Sequence, residues 1–340
     1  MSQGWSELIG QSSVRAGFQA AISQGRLGGS YLFIGPPGTG KHTVVQLLAK
    51  TLLCRFSDPQ EMTPCGHCEA CQQVVAGSHP DIVQVEKPKD KTVIPVASFI
   101  GDPDNRMREG FCHDLRIRPL MGGWKVGVID DADCLNEEGA NCLLKTLEEP
   151  PSKTVVILIG TSEQRQLPTI RSRCQTVRLG PLSRDDSCTL LRDVHGVQQS
   201  DEVLHEAVEI SGGDIHAALR LLEGESGAVR DGLIKLLQDR APDPVEIAKF
   251  FNQQVSEVGK DASRRRAMLR DLFSISVQHF RQRMRSEVFA GRLYPVTGNR
   301  LDRSLRAIRE LDRSANQATL IECFASDIAS GETGDLGEIG

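Results

Sequence analysis

The residues with the clearest chemical potential form a glycine-rich segment that follows an apolar, strand-like run. Residues 35–41 read GPPGTGK and match the pattern G-x-x-x-x-G-K at every fixed position. In such a loop the glycines let backbone N–H groups curve around phosphate oxygens, and the dipole of the next helix adds positive potential. Lys41 is then expected to reach the outer phosphates. The predicted nucleotide-binding residues of this segment are Gly35, Pro36, Pro37, Gly38, Thr39, Gly40, Lys41, His42 and Thr43.

The position after this lysine departs from the pattern, which calls for Ser or Thr because their hydroxyl binds magnesium. The chain has His42 there, and Mg²⁺ prefers oxygen ligands to imidazole nitrogen. Thr43 is the next residue, but one helical residue turns it about 100° away. The segment therefore predicts binding of ATP or ADP and leaves open whether Mg²⁺ accompanies the nucleotide.

A second acidic motif ends another apolar strand, at residues 126–133, which read VGVIDDAD. Asp130 is expected to hold magnesium directly or through a water molecule. Many ATPases place Glu next, whereas Asp131 is one methylene shorter, and a displacement of about 1 Å can slow catalysis by about a hundredfold. We therefore expect weak or absent hydrolysis. The alternative interpretation is that these acids, Asp133 above all, only cap the next helix.

Three cysteines within seven residues form a C-x-x-C-x-x-C run, at Cys65, Cys68 and Cys71. Cys54 lies upstream, where the helix that starts at the glycine loop is expected to end. Four thiolates suit a closed, tetrahedral structural zinc site. An iron–sulfur cluster is the alternative, and His67 could replace one thiol. The remaining cysteines are scattered and are interpreted as ordinary buried thiols.

These motifs require a framework of strands and helices. Residues 1–180 alternate apolar runs with amphipathic helical runs, and near-continuous β-branched runs flanked by helices indicate a parallel sheet covered on both faces. The predicted strands are 31–34, 81–85, 126–129 and 155–159. The first part of the chain is thus predicted to be a doubly wound α/β domain.

After Pro181 the pattern becomes helical. A helix is predicted at 215–222, and Leu269, Leu272, Phe273 and Val277 fall on one face of another. The predicted division is 1–180 for the α/β domain with the cysteine module at about 54–75, 181–235 and 240–330 for two helical domains, and 331–340 for a disordered tail.

The composition and charge exclude several classes of protein. The chain has 340 residues, 39% of them hydrophobic, and a net charge of −5, so it lacks the basic balance of a protein that coats DNA by itself. Its start does not resemble a secretory signal, and no apolar run reaches the roughly 18 residues that span a bilayer. We therefore expect a soluble, cytoplasmic protein without a membrane partner.

Several segments together resemble bacterial DNA polymerase III clamp-loader subunits of the AAA+ class. They are Ile9-Gly-Gln11, the glycine loop followed by the cysteine insertion, residues 139–151 (GANCLLKTLEEPP) and Ser172-Arg173-Cys174. The resemblance covers residues 1–225 and continues more faintly to 311–322, which look like the family's last collar helix. It implies an AAA+ domain with an inserted zinc module, a helical lid and an all-α collar for oligomerisation.

The resemblance also implies roles for individual residues. Arg173 would project into the ATP site of a neighbouring subunit and neutralise charge on the transferred phosphoryl group. Arg171 is a nearby competitor, and an arginine in a surface salt bridge is the plain alternative. Thr161 or Ser162 would be the polar sensor, unless it is a strand-end cap. His216 falls where motor subunits carry a second-sensor arginine.

The departures from the family pattern point to one type of subunit. Three positions of the ATPase site differ from the family pattern, namely His42, Asp131 and His216. The arginine that the family donates to a neighbouring subunit is kept, as Arg173. This resembles the delta-prime type, which implies gamma/tau and delta subunits as partners, and contact with the sliding clamp and primed DNA through the complex. Polymerase chemistry is not expected, because no acidic triad suits two-metal nucleotidyl transfer. The alternatives are an ATP-hydrolysing gamma/tau-type motor and an unrelated P-loop kinase or signalling NTPase, for which no acceptor-binding lid is evident.

Overall fold

The computed structural model of the chain describes residues 4–5, 8–88, 91–121, 123–222, 226–239, 241–259, 261–292, 294–312 and 315–331. The chain divides into two compact units, Met1–Asp186 and Ser187–Gly340. The predicted tail lies outside the described residues, apart from Gly331. The further division into lid and collar domains remains a prediction.

The first unit is built on a parallel sheet with the strand order β2-β3-β4-β1-β5. Its strands are β1 (Gly29–Ile34), β2 (Ile82–Val85), β3 (Lys125–Ile129), β4 (Thr154–Gly160) and β5 (Gln175–Arg178). The four predicted strands are confirmed. The fifth was not predicted, because its first and last residues, Gln175 and Arg178, are polar and exposed and leave no apolar run.

Helices cover both faces of this sheet. Successive strand residues point to opposite faces, so Phe33 joins a core with Phe18 and Leu48, while Leu32 joins another with Phe99. The parallel sheet with two covered faces is thereby confirmed. The helices are α1 (Ser12–Ser23), α2 (Lys41–Leu53), α3 (Glu69–Val75), α4 (Ala97–Ile100), α5 (Phe111–Asp114), α6 (Glu137–Glu148), α7 (Pro168–Arg171) and α8 (Arg184–Thr189), which runs past the unit boundary.

The second unit is helical over its described residues. Phe251, Phe273 and Phe324 form the centre of its core, with ring centroids 4.9 to 5.3 Å apart. The predicted helix face is confirmed, since all four of its apolar residues are buried. The helices are α9 (Asp201–Ser211), α10 (Ile215–Leu222), α11 (Ser226–Leu237), α12 (Pro244–Glu257), α13 (Ala262–Phe289), α14 (Pro295–Asp312) and α15 (Gln317–Ser330).

The expected bounds of the last helix in this unit were partly wrong. Residues 311–322 do not form a single helix, because α14 ends at Asp312 and α15 begins at Gln317. The side chain of Asn316 accepts hydrogen bonds from the N–H groups of Ala318 and Thr319 and so caps the new helix. Within the described part of the chain, every helix is too short or too polar to traverse a bilayer.

Candidate functional site

Three predicted site residues follow neighbouring parallel strands. Gly35 comes after β1, Asp130 after β3 and Thr161 after β4, which lies between the other two strands. Ile34 pairs with Gly160 across β1 and β4, so the ends of these two strands lie level with each other. The carboxyl ends of parallel strands meet at one edge of the sheet, where open α/β sheets bind ligands. The fold thus brings the loop, the acid and the polar residue to a common edge.

The backbone of the glycine loop depends on its glycines. Gly38 and Gly40 have φ values of 74° and 84°, in the left-handed region that side chains disfavour. A Cβ atom on Gly35 would lie 2.2 Å from the carbonyl oxygen of Leu179, so no side chain fits there. Helix α2 starts directly after the loop, and none of the described side chains caps its N-terminus. This is the arrangement that presents backbone N–H groups to an anion.

Lys41 is buried and folds over its own loop. Its ammonium group donates hydrogen bonds to the carbonyl oxygens of Gly35 at 2.6 Å and Pro36 at 2.7 Å. The hydroxyl of Thr39 donates to the same Pro36 carbonyl at 2.9 Å. These bonds hold the loop in its curved form and keep the lysine charge next to it.

Gln11 supports the loop from outside. Its side-chain amide is buried and donates to the carbonyl oxygens of Thr39 at 3.3 Å and Gly180 at 3.0 Å. It therefore ties the glycine loop to the segment that follows β5. The Ile9-Gly-Gln11 resemblance drew attention to this residue, but its bond to the loop was not predicted.

His42 is hydrogen-bonded to the acid at the end of β3. Its Nε2 atom lies 2.6 Å from Oδ2 of Asp130, and the imidazole is 67% exposed. This bond raises the pKa of His42 above its usual range. Burial alone would raise the pKa of Asp130, but the bond from His42 holds it below the ordinary value. Two residues that sequence reasoning assigned separately to the nucleotide site therefore form one pair.

The following acids have different surroundings. Asp131 adopts a left-handed backbone with φ of 53°, which Asp tolerates better than most residues. Asp133 accepts hydrogen bonds from the N–H of Thr161 at 3.1 Å, from its hydroxyl at 2.5 Å and from the amide of Gln166. Sequence reasoning missed this network. The alternative that Asp133 only caps the next helix was wrong, because the side chain of Asn136 caps α6 by accepting from the N–H of Gly139.

The guanidinium of Arg173 is held by groups of its own chain. Its Nε and Nη2 atoms each lie 2.6 Å from Oε1 of Glu148, and Nη1 donates to the carbonyl oxygen of Thr169 at 3.1 Å. The arginine side chain is 29% exposed and that of Glu148 is 50% exposed. The competitor Arg171 is exposed and lies 3.8 Å from a carboxylate oxygen of Glu163.

Arg173 and the glycine loop lie at opposite ends of the parallel strands. Tyr31 of β1 pairs with Gln175, the first residue of β5, so Arg173 precedes the start of the paired strands. The loop begins where the same strands end, at Ile34. The strand residues between them, 31–34, span on the order of 13 Å at about 3.3 Å per residue. Arg173 therefore lies at the amino ends of the strands, away from the glycine loop of its own chain.

The predicted cysteines come together in space. One sulfur atom from each lies within 4.8 Å of the others, and the set is Cys54, Cys65, Cys68 and Cys71. Cys54 ends α2, and Cys68 caps the N-terminus of α3, where its sulfur accepts from the N–H of Cys71 at 3.4 Å. Such a group could hold a metal ion. His67 is not part of it, because its ring bonds the carbonyl oxygen of Cys65 at 2.8 Å and stacks on Phe56.

Hydrogen bonds to the sulfur atoms of Cys54 and Cys68 lower the pKa of these two thiols and favour their thiolates. Burial alone would raise the pKa of Cys68, but N–H groups of Arg55 and Cys71 bond its sulfur and lower the pKa to about 6. Burial and the neighbouring thiols raise the pKa of Cys71. Because thiolates rather than thiols bind metal ions, such N–H bonds prepare the cluster for one.

The remaining candidate, His216, is exposed on α10 in the second unit. On the same helix Arg220 forms a two-pronged ion pair with Asp271 of α13, at 2.8 and 2.9 Å. This pair was not predicted. No feature of the sequence marks which acid, 51 positions away, an arginine on α10 would meet.

Comparison with known proteins identifies relatives of this chain. The family model described as DNA polymerase III, delta subunit, matches residues 10–183, just over half of the chain. The chain is 34% identical over 223 residues to the DNA polymerase III subunit delta′ of Escherichia coli, which covers 66% of the chain and 63% of that protein. The delta′ subunit of Pseudomonas aeruginosa is also 34% identical, over 216 residues, with 62% of each protein covered.

A tau subunit is similar over a comparable stretch. The DNA polymerase III subunit tau of Salmonella typhimurium is 30% identical over 233 residues, which are 68% of this chain and 32% of that protein. The chain thus spans slightly less than two thirds of the delta′ relatives and about a third of this tau protein. The two delta′ proteins match it at the higher identity.

Proposed function

We propose a function from the premise that this chain belongs to the DNA polymerase III delta-subunit family. It acts as a delta-prime-type subunit of a bacterial clamp loader, alongside gamma/tau and delta subunits. The complex would use ATP to load a sliding clamp on primed DNA, and this chain would supply an arginine to a neighbouring ATPase site. The higher identity to delta′ than to tau supports this type over a motor subunit.

The position of Arg173 is the observation on which the proposal depends. It lies at the amino ends of the parallel strands, whereas the glycine loop of the same chain lies at their carboxyl ends. An arginine there cannot stabilise phosphate charge in the glycine loop of its own chain. It can do so in the nucleotide site of a second subunit that packs against the amino ends of the strands. A trans arginine of this kind is worth about 10³- to 10⁵-fold in the rate of phosphoryl transfer.

Glu148 would position this arginine. Its carboxylate contacts two of the three guanidinium nitrogens, and Thr169 contacts the third. These contacts limit the rotamers of a long side chain before any partner docks, which reduces the entropy lost when it engages a phosphate. The fork geometry of guanidinium leaves further N–H groups that can point towards a ligand.

The chain's own loop would hold a nucleotide without turning it over. The curved backbone, Lys41 and the start of α2 supply phosphate contacts, with Asp130 and Thr161 at the same edge. Two residues needed for hydrolysis are replaced. His42 stands where a Ser or Thr hydroxyl would bind magnesium, and Asp131 stands where many ATPases have glutamate. A subunit of this kind would act through assembly and through Arg173, not through its own ATPase.

The cysteine cluster would hold one structural zinc ion. Four thiolates around zinc, with Zn–S bonds of about 2.3 Å, lie about 3.8 Å apart in a tetrahedron. Sulfur atoms within 4.8 Å of one another suit a single ion better than a multi-iron cluster, whose thiolates stand farther apart. Zinc there would join the end of α2 to α3 and stabilise the insertion.

The motor alternative is tested by turnover of the purified chain with ATP and Mg²⁺. The proposal predicts no turnover above background, and no difference between the wild type and Lys41→Ala. Steady turnover that Lys41→Ala abolishes would contradict the proposal and favour a gamma/tau-type motor. Failure to associate with gamma/tau and delta subunits in gel filtration would contradict membership in the complex.

A further inference from the structure

The His42–Asp130 pair occupies both protein positions that a magnesium ion would use. An ionised carboxylate only accepts hydrogen bonds, so the contact at 2.6 Å has His42 Nε2–H donating to Asp130 Oδ2. In loops of this type, the residue at position 42 binds the ion through a hydroxyl and the acid binds it directly or through water. Here position 42 carries an imidazole nitrogen in place of a hydroxyl, and its N–H group is hydrogen-bonded to a carboxylate oxygen of Asp130.

The donor set therefore does not fit Mg²⁺. This ion requires near-octahedral oxygen coordination and gives up its waters reluctantly. To enter, it would have to break a short hydrogen bond and then sit beside an imidazole. Thr43 is half-buried and directed to another side of α2, so its hydroxyl does not replace the missing ligand.

The phosphate-binding half of the site is nevertheless intact. The left-handed glycines, the buried Lys41 and the uncapped start of α2 all remain. The hydrogen bond from His42 also screens the Asp130 charge, which would otherwise repel a phosphate group that arrives without a cation. The pair thus occupies the ligand positions of the metal and reduces the repulsion that its absence would cause.

We propose that the loop binds nucleoside diphosphates and triphosphates independently of magnesium, and that His42 is the residue that determines this. The inference rests on the proposed function, since it concerns the nucleotide proposed for the loop. The bound nucleotide would then not be hydrolysed, because phosphoryl transfer in this class depends on the metal to neutralise developing charge.

The test is equilibrium binding of N-methylanthraniloyl-ADP to the full chain by fluorescence anisotropy, with either excess Mg²⁺ or EDTA. For the wild type, the dissociation constants in the two buffers should agree within about twofold. His42→Ser restores a hydroxyl and releases Asp130, so magnesium should tighten its binding by about tenfold or more, which corresponds to about 1.4 kcal/mol. Gln46→Ser, one turn further along α2, is the matched control and should behave like the wild type.

The outcomes separate the two proposals. Wild-type binding that requires magnesium would overturn this inference and leave nucleotide binding by the loop in place. Metal independence that persists in His42→Ser would remove the role of His42. Absence of binding in both buffers, with folding verified by circular dichroism, would overturn the inference and also nucleotide binding by the loop. The arginine donation would still stand, because it is measured on the partner's ATPase.

Discussion

Arg173 and Glu148 form an ion pair at the amino ends of the parallel strands, opposite the chain's own glycine loop. The two residues are 25 positions apart, and the pair joins the end of α6 to the segment between α7 and β5. A pair this exposed contributes little to stability, about 0 to 1 kcal/mol. Its value would therefore lie in holding the guanidinium in place, which gives the proposed arginine donation a second residue to test.

The first prediction concerns this positioning. Glu148→Gln removes the charge that holds the guanidinium, and displacement of a catalytic group by about 1 Å can cost about a hundredfold in rate. We expect the partner's kcat to fall by about tenfold to a hundredfold, with an unchanged KM for ATP, in steady-state ATPase assays of the reconstituted complex. Thermal stability of the isolated chain should hardly change, because the pair is exposed.

Glu149→Gln is the control for this experiment. Glu149 is the next residue and is exposed, so it tests the loss of a negative charge at nearly the same place. It should leave kcat as in the wild type. A wild-type rate in Glu148→Gln, or an increase caused by release of the arginine, would contradict the positioning role.

The second prediction concerns the cysteine cluster. The purified chain should contain one zinc ion per molecule by inductively coupled plasma mass spectrometry. Cys68→Ser should lose that ion and lower the melting temperature, because binding of a structural metal contributes to the folding free energy. Cys323→Ser is the control, since this thiol is exposed and lies in the other unit. Iron with visible charge-transfer absorption, or full zinc content in Cys68→Ser, would contradict the assignment.

The third prediction concerns the ion pair between Arg220 and Asp271 in the second unit. Arg220→Leu leaves the buried carboxylate without its charged partner, at a cost of about 1 to 3 kcal/mol. The double variant Arg220→Leu, Asp271→Leu should recover most of that loss, because apolar replacement of both partners is often neutral. Urea denaturation followed by the helical circular dichroism signal measures this. Arg281→Ala, an exposed arginine on α13, is the control.

The cost of Arg220→Leu should also depend on pH. Burial raises the pKa of Asp271 even with Arg220 present, and loss of the arginine should raise it further. An acid whose folded-state pKa is raised binds its proton more tightly when folded, so folding is favoured at low pH and weakened as pH rises through that pKa. The destabilisation should therefore be smaller near pH 5 than at neutral pH. A penalty that does not vary with pH would contradict this explanation.

The sequence predicted those features that a local pattern encodes. The four predicted strands are near-continuous apolar runs, the glycine loop is a contiguous motif, and three of the four clustered cysteines lie within seven residues. β5 was missed because Gln175 and Arg178, at its two ends, are polar and exposed. Its burial is too small to leave an apolar pattern.

The polar pairs were harder to predict. His42 and Asp130 were each singled out, but their mutual bond spans 88 positions. The bonds of Asp133 to Thr161 and of Arg173 to Glu148 span 28 and 25 positions. A polar side chain has many possible partners at such separations, and no periodicity selects one of them. The structure was therefore needed to show which groups meet.

The most direct test of the account is the ATPase of a complex reconstituted with gamma/tau and delta subunits on primed DNA, with wild-type chain or Arg173→Ala. Arg171→Ala, two residues away and exposed, is the matched control. We expect Arg173→Ala to assemble normally but to lower hydrolysis at the adjoining site by about 10³-fold or more, because a trans arginine is lost. Hydrolysis at the wild-type rate in fully assembled Arg173→Ala complex would contradict it.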